Sequence, residues 1–226
     1  MGKWVLAIIV FVVAAVLGAM AANKLRGGDA VVLQAASATV TPGWKRHSSS
    51  NAGFQIDLPV EFTTIDPKDP KLRDAIAEVS KQNPEAERLL MQVIGTGGFV
   101  FWAFDFQNMA GSFAKNLNAI REVKRSDLPA PGANLEPYRD AIAKSLPSNG
   151  KLVGISAVKL PVGNVLQTVM EFTLQNENGT VKTCSYGYAV IDDDSQLTMT
   201  FTCLKIDADA FKPIADRAME TFRLID

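Results

Sequence analysis

A chain of 226 residues, 47% of them hydrophobic, is long enough to bury one large core or two small ones. Its net charge of −1 provides no long-range field to hold a nucleic acid. A single histidine, His47, and two cysteines far apart in sequence, Cys184 and Cys203, exclude most histidine-based catalytic and metal-site designs and any CxxC zinc or redox pattern. No catalytic residue, metal site or cofactor is therefore expected.

Residues 4–22 carry no charge. The run follows Met-Gly-Lys and ends in Ala19-Met20-Ala21, with small residues at both positions a signal peptidase inspects. Two readings stay open. One is a secretory signal cut after Ala21; the other is a retained transmembrane anchor, because about 19 apolar residues nearly span a bilayer. In the second, Ala14, Gly18 and Ala22 recur every fourth residue and form a small-residue face suited to packing against another membrane helix. Both place the following domain outside the cytoplasm, where a disulfide persists. No cysteine lies near the end of the run to carry a lipid. Residues 23–43 hold Gly27-Gly28 and Thr41-Pro42-Gly43 without a sustained period and read as a flexible linker.

The domain spans residues 44–226. Gly53 to Pro59 alternates as a strand with Phe54, Ile56 and Leu58 on one face. Asp69-Pro70 and Asn83-Pro84 are helix starts, each followed by an apolar stripe. Phe99 to Phe106 reads as a buried strand and Phe113 to Val123 as its partner. A helix is expected at about 135–146, with Leu135, Tyr138, Ile142 and Leu146 in register. Strands near 153–160 and 164–175 begin a four-strand meander that ends in a hairpin over 181–206. A last helix follows Asp207, with Phe211, Ile214, Ala215, Ala218, Met219 and Phe222 at helical spacing and Pro213 in its first turn or two. This order gives an α+β domain: a mainly antiparallel β-sheet with helices packed on it.

The last hairpin carries its own register. Folded about Asp193-Asp194, it sets Tyr186 opposite Phe201, Tyr188 opposite Met199, Val190 opposite Leu197 and Cys184 opposite Cys203, all on one apolar face. The other face pairs Ser185 with Thr202, Gly187 with Thr200 and Ala189 with Thr198. A slip of one residue would oppose apolar to polar at every rung. The same register predicts a Cys184–Cys203 disulfide, worth on the order of 3 kcal/mol in the chain-entropy account. Two reduced core cysteines are the competing reading.

Gly53-Phe54-Gln55-Ile56-Asp57-Leu58-Pro59, Phe113-Ala114-Lys115-Asn116-Leu117-Asn118, Leu197-Thr198-Met199-Thr200-Phe201-Thr202 and Met219-Glu220-Thr221-Phe222-Arg223 resemble the PsbP-like superfamily over residues 44–226. The resemblance implies an α/β/α sandwich and a non-enzymatic role, docking on larger assemblies. The cysteine pair and the apolar N-terminus without a lipid-modification cysteine depart from the family's lipoproteins.

Three clusters remain as candidate chemistry. Asp192-Asp193-Asp194 has hard-cation ligands, but three acids at a hairpin tip are ordinarily a solvated turn. His47, with Lys45 and Arg46 beside it, could meet an anionic partner, but an exposed flanking residue is the better account. Ser185, Thr198, Thr200 and Thr202 line a face that is either a shallow polar groove for a ligand or a floor for closely packed helix. The expected function is a non-catalytic extracytoplasmic accessory module that binds and stabilises or assembles a membrane protein complex. The alternative is a small-ligand-binding or enzymatic envelope protein that uses the threonine face.

Overall fold

The computed structural model describes residues 40–50, 52–65, 99–110, 113–123, 134–176, 179–191 and 195–225. The N-terminal run with Ala14, Gly18 and Ala22, the helices expected after Asp69 and Asn83, and the Asp192–Asp194 turn lie outside these residues. In chain order the elements are β1 (Trp44–Ser49), β2 (Phe54–Pro59), β3 (Phe62–Ile65), β4 (Phe99–Ala110), β5 (Phe113–Val123), α1 (Glu136–Ser145), β6 (Gly150–Leu160), β7 (Gly163–Asn176), β8 (Gly179–Ile191), β9 (Ser195–Leu204), a 3-10 turn (Lys205–Asp207), α2 (Ala208–Thr221) and β10 (Arg223–Leu224). Among the described residues no helix is long and apolar enough to cross a membrane.

The strands form two antiparallel sheets, one of seven in the order β3-β4-β5-β9-β8-β7-β6 and one of three in the order β1-β2-β10. The β6-to-β9 meander is as expected, but the entry strand does not join it. β2 pairs with β1 on one side and with the chain's last strand on the other. Gly53, at φ +64, makes the turn into β2, a conformation glycine adopts without steric cost. Its carbonyl accepts the Ile225 N–H at 2.9 Å. The end of the chain is thereby tied to the start of the domain.

Alternation then sorts the side chains into layers. From the large sheet Leu117, Ala119, Tyr186, Tyr188, Val190, Leu197, Met199 and Phe201 enter one core. Phe54, Ile56 and Leu58 of the small sheet and Phe211, Ala215, Ala218, Met219 and Phe222 of α2 meet them there. Two tyrosines set where α2 lies. Tyr186 donates its hydroxyl hydrogen bond to the Ala208 carbonyl at 2.8 Å, and Tyr188 donates to Asp216 Oδ1 at 2.5 Å, about two turns further along. Pro213 lies inside α2 and costs it one backbone hydrogen bond. The opposite face of the sheet packs Leu166, Met170, Phe172 and Leu174 against Tyr138 and Ile142 of α1. Helices on both faces complete an α+β sandwich.

Every rung expected of the last hairpin is present, from Thr183 opposite Leu204 to Ile191 opposite Gln196. The expected disulfide is not formed. Cys184 and Cys203 face each other, yet both thiols are free, and the Cys203 thiol instead donates to the Cys184 carbonyl at 3.8 Å. Directly opposed strand residues hold their Cβ atoms about 4.5–5.5 Å apart, wider than the roughly 3.5–4.5 Å a disulfide requires. The rung satisfies the sheet and leaves two packed thiols. Burial is the main force raising both thiols above their ordinary range, so neither is a nucleophile near neutral pH. Iodoacetamide at pH 8 is expected to leave the native protein unlabelled and to label both cysteines in urea without reductant. Thiols that stay unlabelled in urea until reduced would restore the disulfide.

Candidate functional site

The face of the large sheet opposite α2 carries the polar residues read from the hairpin, together with Asn116, Asn118 and Thr168 from the flanking strands. Across β5, β9, β8 and β7 one rung reads Asn118, Thr200, Gly187, Thr168, and the next reads Asn116, Thr202, Ser185, Met170. Gly187 leaves room for its neighbour, since a Cβ there would stand 2.5 Å from Thr168 Oγ1. Thr198 lies one rung further along, half-buried, and accepts from Gln196 Nε2 at 2.9 Å.

This face is not an open groove. Ser185, Thr200, Thr202, Asn116 and Asn118 are all at most 1% exposed. Their hydrogen bonding is incomplete. The Ser185 and Thr202 hydroxyls pair at 3.1 Å, and Asn116 Nδ2 donates to the Ala114 carbonyl at 3.2 Å. Among the described residues Asn116 Oδ1, both polar atoms of Asn118, Thr200 Oγ1 and Thr183 Oγ1 have no partner. A buried polar atom without a partner costs about 1–3 kcal/mol, so this layer weakens the fold it belongs to. The two asparagines were legible in principle, because they alternate with Leu117 and Ala119 along β5. Their polarity only acquires meaning beside the threonines of β9, and that adjacency is tertiary.

A second polar cluster holds the edge of α2. Asp216 Oδ1 accepts from Tyr188 and from Gln167 Nε2 at 3.1 Å, and Asp216 Oδ2 accepts from Lys212 at 2.5 Å. Ser156 donates to Gln167 Oε1 at 3.2 Å. Burial, reinforced by Asp216, pushes the Tyr188 phenol above its usual range. Every member donates or accepts within the cluster. It positions α2.

His47 overturns the expectation of an exposed flanking residue. It sits on β1, 8% exposed, edge-on to Phe101 of the large sheet with ring centroids 6.3 Å apart. Its Nε2 has no partner among the described residues. Burial, with Lys45 adding and Asp57 opposing, lowers it to about 4, so the ring is neutral at pH 7. Arg46 is equally committed: it is paired bidentate with Asp57 across the β1–β2 rung at 2.7 and 3.0 Å. The basic cluster read from Lys45, Arg46 and His47 is therefore not an anion receptor. Among the described residues no three His, Cys, Asp or Glu side chains are grouped to hold a metal, and the acidic turn at Asp192–Asp194 lies outside them.

No protein-family model matches the sequence, and no curated protein matches it. Among solved structures the chain is similar to cyanobacterial PsbP (CyanoP) from Synechocystis sp. PCC 6803, with TM-score 0.48 and 13% identity over 85% of this chain and 98% of that one. It is similar also to LpqN of Mycobacterium tuberculosis, a protein involved in cell envelope biogenesis, with TM-score 0.44 and 9% identity over 82% and 87% of the two chains. A Bacteroides thetaiotaomicron structure gives TM-score 0.43 and 11% identity over 81% of this chain and 49% of that one.

Two tests address this geometry. His47 binds its proton less readily in the folded chain, at about 4, than in the unfolded chain at about 6.5. Its contribution is therefore fully present above pH 6.5 and lost as the pH falls towards 4, by on the order of 3 kcal/mol. Urea unfolding of the wild type minus that of His47→Phe should show this slope, and parallel pH profiles would refute it. In the polar layer, Thr200→Val should leave the thermal midpoint unchanged or raise it. Thr202→Val, which strands the Ser185 hydroxyl, should cost about 1–3 kcal/mol. Equal losses in both variants would mean that Thr200 has a partner after all.

Proposed function

We propose that the protein is a non-catalytic accessory module on the outer side of a membrane, where it binds and stabilises or assembles a membrane protein complex. One observation carries the reading. The side chains best able to do chemistry, His47, Cys184 and Cys203, are all interior, and burial moves each away from a working protonation state. Catalytic groups are tuned towards the operating pH, and these are displaced from it. What the domain offers outward is surface, including the free edge of a long sheet. The uncharged run at residues 4–22 and the linker to residue 43 deliver that surface to a membrane, whether by export or by anchoring. Tethering there raises its effective concentration beside a partner.

A second reading rests on the unmade hydrogen bonds of Asn118 and Thr200: a small ligand lying on the polar layer. One experiment separates the two. Membranes solubilised in mild detergent are resolved under native conditions, and the fractions holding this protein are analysed for other subunits and for bound small molecules. Co-migration with larger subunits is the expected result. Migration as a free monomer with a tightly held small molecule would replace the first reading by the second.

A further inference from the structure

The two edges of the large sheet are unlike. At one end stands β3, four residues long, and a short edge strand offers little for another chain to pair with. At the other end stands β6, eleven residues and about 36 Å at 3.3 Å per residue. None of its residues is buried. No strand pairs with its outer side among the described residues; the Gly150 N–H is held by the Pro147 carbonyl at 2.9 Å, and beyond it every second N–H and C=O has no neighbouring strand and points outward.

Its charges are also unspent. Lys151 and Lys159 stand near the two ends of β6, both exposed, and neither takes part in an ion pair among the described residues. Lys151 lies across the rung from Glu171, but Lys205 holds that carboxylate at 2.5 Å; Lys159 lies across from neutral Asn164. β6 itself contains no acid. Between the lysines the register shifts at Leu152/Gly154, and Val153, the extra residue, is 48% exposed.

We propose that β6 is the docking strand of this module, and that its partner is an extended acidic segment of another protein, which adds to the sheet as an eighth strand. This rests on the accessory-module reading and names the partner's chemistry. The lysines select against a second copy of the chain. Lys151 pairs with Glu171 and Lys159 with Asn164, so the shift between them sets the two lysines on opposite faces of the sheet. Two β6 strands would bring four lysines and no acid to one seam, leaving each lysine without a counter-charge. A strand with carboxylates near its ends converts the same lysines into attraction. Main-chain hydrogen bonds supply affinity, while the lysines and the half-exposed Val153 supply choice of partner.

The test uses the full chain in detergent and two short labelled peptides, one of valine with paired adjacent glutamates so that carboxylates reach both faces of the added strand, the other with lysine in place of each glutamate, followed by fluorescence anisotropy. The glutamate peptide should bind and the lysine peptide should not. Lys151→Glu/Lys159→Glu should weaken the glutamate peptide about tenfold and admit the lysine peptide. Of the neighbours Ser156→Pro and Ala157→Pro, one removes an N–H bonded to β7 and the other an N–H facing outward. The outward one should keep the circular dichroism and thermal midpoint of the wild type and lose peptide binding. Should both prolines unfold the domain, the charge-reversed variant decides alone. Equal binding of both peptides, or binding indifferent to charge reversal, overturns the proposal. Native separation keeps the two readings distinct. If the charge-reversed chain still migrates with the larger assembly, the edge inference fails and the module stands. If the wild type migrates as a free monomer, the module itself fails.

Discussion

Tyr186 opposite Phe201 and Tyr188 opposite Met199 place four large side chains on one face of two adjacent strands, and burying that face commits much else. Strand side chains alternate with a period of two, so no neighbouring register keeps these four together. Once β8 and β9 are locked, the two tyrosine hydroxyls project at fixed places and receive α2, one at Ala208 and one at Asp216. Phe211 of α2 then meets Phe201, ring centroids 6.5 Å apart. Phe222, just beyond the helix, meets Phe54 of the small sheet at 5.5 Å. The chain from hairpin to helix to small sheet is one continuous apolar contact.

The same register imposes a cost on the opposite face. If Tyr186, Tyr188 and Phe201 are to face α2, then Ser185, Gly187, Thr200 and Thr202 must face away, and β5 adds Asn116 and Asn118 beside them. Part of that polarity is reconciled by the Ser185–Thr202 hydroxyl pair. Part is not, and Asn118 and Thr200 stay buried without partners. Such groups lower stability without adding packing.

Function is constrained by where the reactive residue types ended up. A histidine against Phe101 and two thiols in an aromatic core are packing elements: their desolvation stabilises the neutral forms that apolar packing needs. Committing Arg46 to Asp57 and Asp216 to Tyr188, Gln167 and Lys212 does the same for charged side chains. What remains for recognition is surface, and on the large sheet the asymmetry between a four-residue edge and an eleven-residue edge singles out one side.

Much of the fold was legible in the sequence because it is local. The alternation of Phe54, Ile56 and Leu58, the helical spacing of Phe211, Ala215, Ala218 and Met219, and the pairing of β8 with β9 all depend on residues close in the chain, whose periodicities of 2 and 3.6 are printed in their order. Long-range adjacency decided the rest. That β2 leaves the large sheet for a small one closed by β10, that β5 borders β9, and that β6 is left at an edge depend on which strands meet, and no periodicity encodes that. His47 looked exposed beside Lys45 and Arg46, yet it is buried because β1 lies over Phe101, a residue from a distant segment. The threonine face read as either a groove or a floor for packed helix, and its burial decides for the covered floor: alternation says which residues share a face and cannot say what covers it. Cys184 and Cys203 mark the boundary between the two kinds of knowledge. Their opposition followed from the order of residues alone, whereas whether their sulfurs join is set by Cβ separation, and that belongs to the folded sheet.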